Sequence, residues 1–175
     1  MPLTKIKSLG ITDGTILGTD VNSTFDLTGK TVTLPAGVGG KVLQVITATD
    51  ETSRQTTSTS YVTASNTLAV TITPSSTSSK IFITMSATIL SPSDTNAGEL
   101  TIYRGATNLA TNKFIRTFVS GTYLAYGGNI SVLDSPSTTS ATTYQVYMRV
   151  SSGANRLGIN EDGSKGTITA FEIAG

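Results

Sequence analysis

The feature that most constrains this chain is its threonine: 33 Thr and 21 Ser among 175 residues, set into short runs of Ile, Val and Leu. Threonine is β-branched, pays for a helix in side-chain freedom and fits a pleated surface that is wet on one side. With 17 Gly, these residues fill two-fifths of the chain, while charged residues are only 13% and Trp, Cys and His are absent. Such a composition predicts strands and turns, and one domain of this length with or without an arm.

The runs keep a period of two. Leu68, Val70 and Ile72 alternate with Thr67, Ala69, Thr71 and Thr73, and Pro74 with Ser75–Ser79 closes that strand. Ile81, Ile83, Met85, Ala87 and Ile89 form the longest alternation, with Phe82, Thr84, Ser86 and Thr88 on the opposite parity. Tyr144, Val146, Met148 and Val150 oppose Gln145, Tyr147 and Arg149 in the same way. Shorter signals lie at Val42–Ile46, Leu100–Ile102, Phe114–Val119 and 166–175, with a polar connection over Thr47–Ser60. Tyr123–Leu133 reads as one strand or two, depending on Gly127-Gly128. Eight or nine short strands without a long helical pattern predict an all-β, antiparallel β-sandwich of jelly-roll type over 41–175.

Residues 1–40 follow neither period. Leu3, Ile6, Leu9, Ile11, Ile16, Val21 and Phe25 recur at irregular gaps between Gly10, Gly14, Gly18 and Gly29, and Pro35 with Gly37, Gly39 and Gly40 closes the segment. Disordered tails are usually poor in large aliphatics. The pattern therefore predicts an extended N-terminal arm that docks along a partner through those seven side chains, the alternative being a terminus packed on its own domain.

The missing residues remove most chemistry. Without Cys there is no disulfide, thiol nucleophile or zinc ribbon, and without His there is no Ser-His-Asp triad and no imidazole ligand. The acids Asp50-Glu51 and Glu161-Asp162 are sequence neighbours, which a strand points to opposite faces. No catalytic, metal or cofactor-binding residue is predicted, and the expectation is a non-enzyme without cofactor. Asn160-Glu-Asp-Gly163 lacks the alternate ligand spacing of a calcium loop and reads as a turn. A net charge of +1 without a basic run predicts neither nucleic acid nor membrane as partner. The start MPLTKIKSLG lacks the apolar core of a secretory signal.

Two surface roles remain. Few large aromatics make a lone domain marginal, which favours self-association. Phe82, Tyr123, Tyr147 and Phe171 are the candidate interface residues. Tyr61, Tyr103, Tyr123, Tyr126, Tyr144 and Tyr147 also offer stacking faces for a glycan.

The segments ITDGTILGTDVNSTFDLTGKTVTLPAGVGGKVLQV (11–45), YVTASNTLAVTITPSSTSSKIFI (61–83) and GTITAFEIAG (166–175) resemble small structural proteins of tailed bacteriophages. In that group such sequences occur as tail-fibre modules, and similar small jelly-roll proteins decorate capsids. The resemblance implies a homotrimer made in the host cytoplasm, placed on the virion surface and held to a capsid or tail protein by its N-terminal segment. It also implies, as a second reading, recognition of a host-surface glycan. The chain is short for a complete fibre and has no coiled-coil or β-helical stalk, which favours a decoration, cement or short-appendage protein.

Overall fold

The computed structural model describes residues 41–92, 96–117, 119, 121–152 and 155–175. The predicted arm 1–40, with all seven of its docking side chains, lies outside them. The strands are β1 (Val42–Asp50), β2 (Arg54–Thr56), β3 (Val62–Thr63), β4 (Ala69–Ile72), β5 (Lys80–Ser91), β6 (Gly98–Arg104), β7 (Thr107–Asn108), β8 (Ile115–Thr117), β9 (Leu124–Asp134), β10 (Thr142–Val150), β11 (Leu157–Ile159) and β12 (Gly166–Ile173).

Every pairing between these strands is antiparallel. In the first sheet β1 pairs with β12, β12 with β5, and β5 with β9, while β2 and β11 continue the lines of β1 and β12 past a break. In the second, β3 and β4 share one side of β10, β6 lies on its other side, and β7 and β8 share the far side of β6. With the broken strands counted as single lines, eight lines pair from outside in: first with last, second with seventh, third with sixth, fourth with fifth. That is one long antiparallel ribbon rolled into two four-stranded layers, the jelly roll.

The inward parity of the strands makes the core. Ile81, Ile83, Met85 and Ile89 of β5 meet Val146, Met148 and Val150 of β10, with Leu100, Ile102, Leu157, Ile159 and Ile168 around them, all essentially solvent-free. Each such aliphatic contributes about 1.5–3 kcal/mol by burial. Tyr144 joins them as the parity predicts; its hydroxyl donates to Asp134 Oδ2 at 2.7 Å. Arg104 Nη1 meets both Asp134 oxygens, at 2.9 and 2.8 Å, so β6, β9 and β10 are tied at one end. Burial and the Asp134 carboxylate push the Tyr144 phenol far above its ordinary pKa.

One local expectation changes, one open alternative is settled and one strand is added. The polar connection Thr47–Ser60 is strand as far as Asp50, and again over Arg54–Thr56, because Thr47 and Thr49 point to water while Ile46 and Ala48 turn inward. Gly127-Gly128 lies inside one continuous strand, β9, in register with β5 from end to end. Leu157–Ile159 is a buried strand that three residues are too few to announce by period. The Asn160–Gly163 segment is a turn as expected, a single 3-10 turn with Asn160 and Asp162 at positive φ.

Gly98 is required by close approach. A Cβ there would stand 2.4 Å from Leu157 Cδ1, 2.8 Å from Thr117 Cγ2 and 3.0 Å from Pro92 Cδ. Gly98→Val is expected to lower stability by about 1–3 kcal/mol through overpacking, read as a lower urea midpoint at unchanged slope.

Candidate functional site: the two outer faces of the sandwich

The two sheets present outer faces of opposite character. On the first, register lines up rows that cross all four strands. Val45, Phe171, Phe82 and Leu133 form one row, Thr47, Thr169, Thr84 and Ser131 the next, and Thr49, Thr167, Ser86 and Asn129 the third. Val45 is 53% exposed and Leu133 57%, while the Phe82 and Phe171 rings lie 6.1 Å apart. Exposed Val42 and Leu43, at the start of β1, adjoin the apolar row. The three rows hold no ionisable side chain; Lys80, beside them at the start of β5, donates to Ser135 Oγ at 2.8 Å. Charge depletion around an apolar centre is the compositional mark of an interface core.

The other face is ionic and aromatic. Arg149, Glu99 and Arg116 stand in one row across β10, β6 and β8. Glu99 is 5% exposed; its Oε2 accepts from Arg149 Nε at 2.8 Å and lies 2.7 Å from Arg149 Nη2, and Lys113 Nζ stands 3.3 Å from Oε1. Arg116 Nε is 3.9 Å from Oε1, an ion pair without a hydrogen bond. The Arg149 guanidinium also lies 4.6 Å over the Tyr61 ring, whose hydroxyl donates to the Asn112 carbonyl at 2.8 Å. Tyr103 packs edge-on to Tyr61 at 6.0 Å and against Tyr147 at 4.2 Å. Burial would raise the Glu99 carboxyl, but Arg149 and Lys113 outweigh it and hold it below the ordinary carboxylate range. Burial and then Glu99 push the Tyr61 phenol up to about 12.

Two further carboxylates fasten the roll. Glu172 is fully buried: Oε1 accepts from Ser75 N, Ser75 Oγ and Ser79 Oγ, each at 2.7 Å, and Oε2 from Gln44 Nε2 at 2.6 Å. It pins the turn between β4 and β5. Desolvation opposes its charge, but hydrogen bonds from Gln44, Ser75 and Ser79 hold the carboxyl at about 2. Asp50 bridges the β1–β2 break to the β3–β4 bend, accepting from Thr52 N at 3.0 Å, Arg54 Nε at 3.1 Å and the Ser65 hydroxyl. Burial works against its charge too, and the Ser65, Thr52 and Arg54 bonds still place it well below the ordinary range. Of the neighbouring acids, Glu51 pairs with Lys165 at 2.8 Å and Glu161 accepts from Gln55 Nε2 at 3.0 Å.

The structure separates the four predicted interface residues. Phe82 and Phe171 share the uncharged face, Tyr147 belongs to the ionic face of the other sheet, and Tyr123 stands elsewhere under Arg156 at 4.9 Å. Of the six tyrosines, Tyr61, Tyr103 and Tyr147 converge, Tyr126 packs against the core and Tyr144 is wholly inside. Single-strand parity gives the outward side of Tyr147, but Glu99, Lys113 and Arg116 join it only through non-local pairing.

No protein-family model matches the sequence, and no curated protein does. Among solved structures, the chain is similar to one in the structure of infectious bursal disease virus, Gx strain, at 14% identity and a TM-score of 0.39, over 83% of this chain and 41% of that one. This chain thus spans less than half the length of that viral chain.

Proposed function

We propose that the protein is a non-enzymatic structural subunit of a bacteriophage particle, a surface decoration, cement or short fibre-type appendage. In this reading segment 1–40 attaches to a capsid or tail protein and the sandwich associates with copies of itself, as the trimer that the sequence resemblance implies. The uncharged outer face of the β1-β12-β5-β9 sheet is the observation that carries it. Further copies suit this face because its three central rows carry no ionisable side chain, so around a three-fold axis the β1 side of one copy can lie against the β9 side of the next without charge repulsion. Four strands about 4.8 Å apart and about eight residues long project roughly 500 Å². Side-chain relief brings the accessible area towards the roughly 800 Å² per partner of a standard interface. The border strands β1 and β9 contain no Lys, Arg or Pro, the residues that usually guard a sheet edge.

The buried carboxylates support the non-enzymatic reading, since Asp50, Glu99 and Glu172 are engaged by donors that hold strand breaks, turns and strand rows. Attachment is tested by deleting residues 1–27. The remaining chain, which keeps the compact unit Gly39–Gly175, should fold and fail to co-sediment with particles that bind the full chain. Undiminished co-sedimentation would remove the anchoring role from the segment.

A further inference from the structure

We propose that the outer face of the β10–β6 sheet binds an anionic saccharide, its sugar ring stacked on the Tyr147–Tyr103 pair and its acidic group held by Arg116. The proposal stands apart from self-association, which uses the opposite sheet.

Three observations carry it. First, three cations surround one carboxylate, so Arg149, Lys113 and Arg116 leave a surplus of positive charge beside Glu99 among the described residues. Second, the cations are unequally spent. Arg149 meets Glu99 with two nitrogens and covers Tyr61 with its face, whereas the Arg116 side chain is 62% exposed and too far from Glu99 to donate. Arg116 therefore keeps its planar fork for a carboxylate, sulfate or phosphate group. Third, the aromatic platform is preorganised: Tyr103 and Tyr147 pack at 4.2 Å on adjacent strands, above a fully buried Thr101 whose hydroxyl donates to Asn108 Oδ1 at 2.6 Å. Rings already fixed lose little freedom when a sugar stacks on them.

The patch is compact and the chain's net charge is only +1. A nucleic acid strand calls for an extended basic track along its backbone. An anionic sugar needs one charge contact beside one stacking surface, which is what the face presents.

Calorimetric titration of the full chain at low salt with sialyllactose, oligogalacturonate and a sulfated disaccharide, against neutral lactose and a short single-stranded DNA, tests this. At least one acidic saccharide should bind, at least about tenfold tighter than lactose and the DNA, and more weakly as salt rises. The carboxylated and sulfated probes show which acidic group the site takes. Arg116→Ala and Tyr147→Ala should each weaken binding by about tenfold or more with the thermal unfolding transition retained; Arg116→Lys should restore part of it. Absence of acidic-sugar binding, equal affinity for lactose, preference for the DNA, or full affinity in Arg116→Ala would each overturn the proposal.

Discussion

Glu172→Leu is expected to lower the unfolding free energy by about 3 kcal/mol and to loosen the turn between β4 and β5. The substitution keeps the volume but leaves the buried Ser79 hydroxyl, the Ser75 amide and the Gln44 amide without their acceptor. A buried donor so orphaned costs about 1–3 kcal/mol. Glu172→Gln retains one acceptor oxygen and turns an amide towards Gln44 Nε2, also a donor, so its loss should be smaller, about 1–2 kcal/mol.

The pH dependence separates this account from simple packing. The Glu172 carboxyl is lowered from 4.5 to about 2 in the fold, so its contribution is complete above about pH 4.5 and is lost as pH falls through 2. Asp50, lowered from 3.8, and Glu99, lowered from 4.5, act in the same direction. Stability of the wild-type body should therefore decline on acidification below pH 4.5, and Glu172→Gln should flatten part of that decline. Denaturant titrations at pH 7 and pH 3 measure it; an acid response unchanged in Glu172→Gln would mean that the carboxylate does not hold the turn.

The second large effect falls on assembly. Val45→Lys combined with Leu133→Lys is expected to reduce the protein to single chains of 18.1 kDa without lowering its melting temperature as a fold. Both side chains are more than half exposed and stand at opposite ends of the apolar row, so the separate sandwich loses little when they change. In an interface of like copies the new cations would face a desolvated neutral surface and one another, at a cost of several kcal/mol. Thr63→Lys, exposed on the other sheet, is the control and should leave the mass unchanged. Dissociation in the control, or persistence of the assembly in the double variant, would move the interface off this face.

Parity explains how much of this was readable beforehand. Ile81 to Ile89 and Tyr144 to Val150 show their buried sides through a period of two, and that period puts Tyr144 inside, which removes it from the tyrosines offered as stacking faces. Glu172 shares parity with Ile168 and Ala170, so its inward direction was written in the sequence. What parity cannot supply is the set of donors it meets, because Gln44, Ser75 and Ser79 arrive from strands and turns far along the chain. The ionic face was hidden for the same reason: Glu99, Arg116 and Arg149 look like ordinary outward residues until β6, β8 and β10 pair. Thr47 and Thr49 disguised the second half of β1, since threonine serves a wet strand face and a loop equally well. The jelly-roll pairing itself is a sum of long-range registers that local pattern leaves open, although the strands it joins were mostly visible.

The most direct test of the building-block account is the mass of the purified, full-length chain by multi-angle light scattering across a range of concentrations. The account predicts a discrete oligomer, three times 18.1 kDa, that the Val45→Lys, Leu133→Lys variant abolishes. A wild-type chain that stays at 18.1 kDa at every concentration would contradict it.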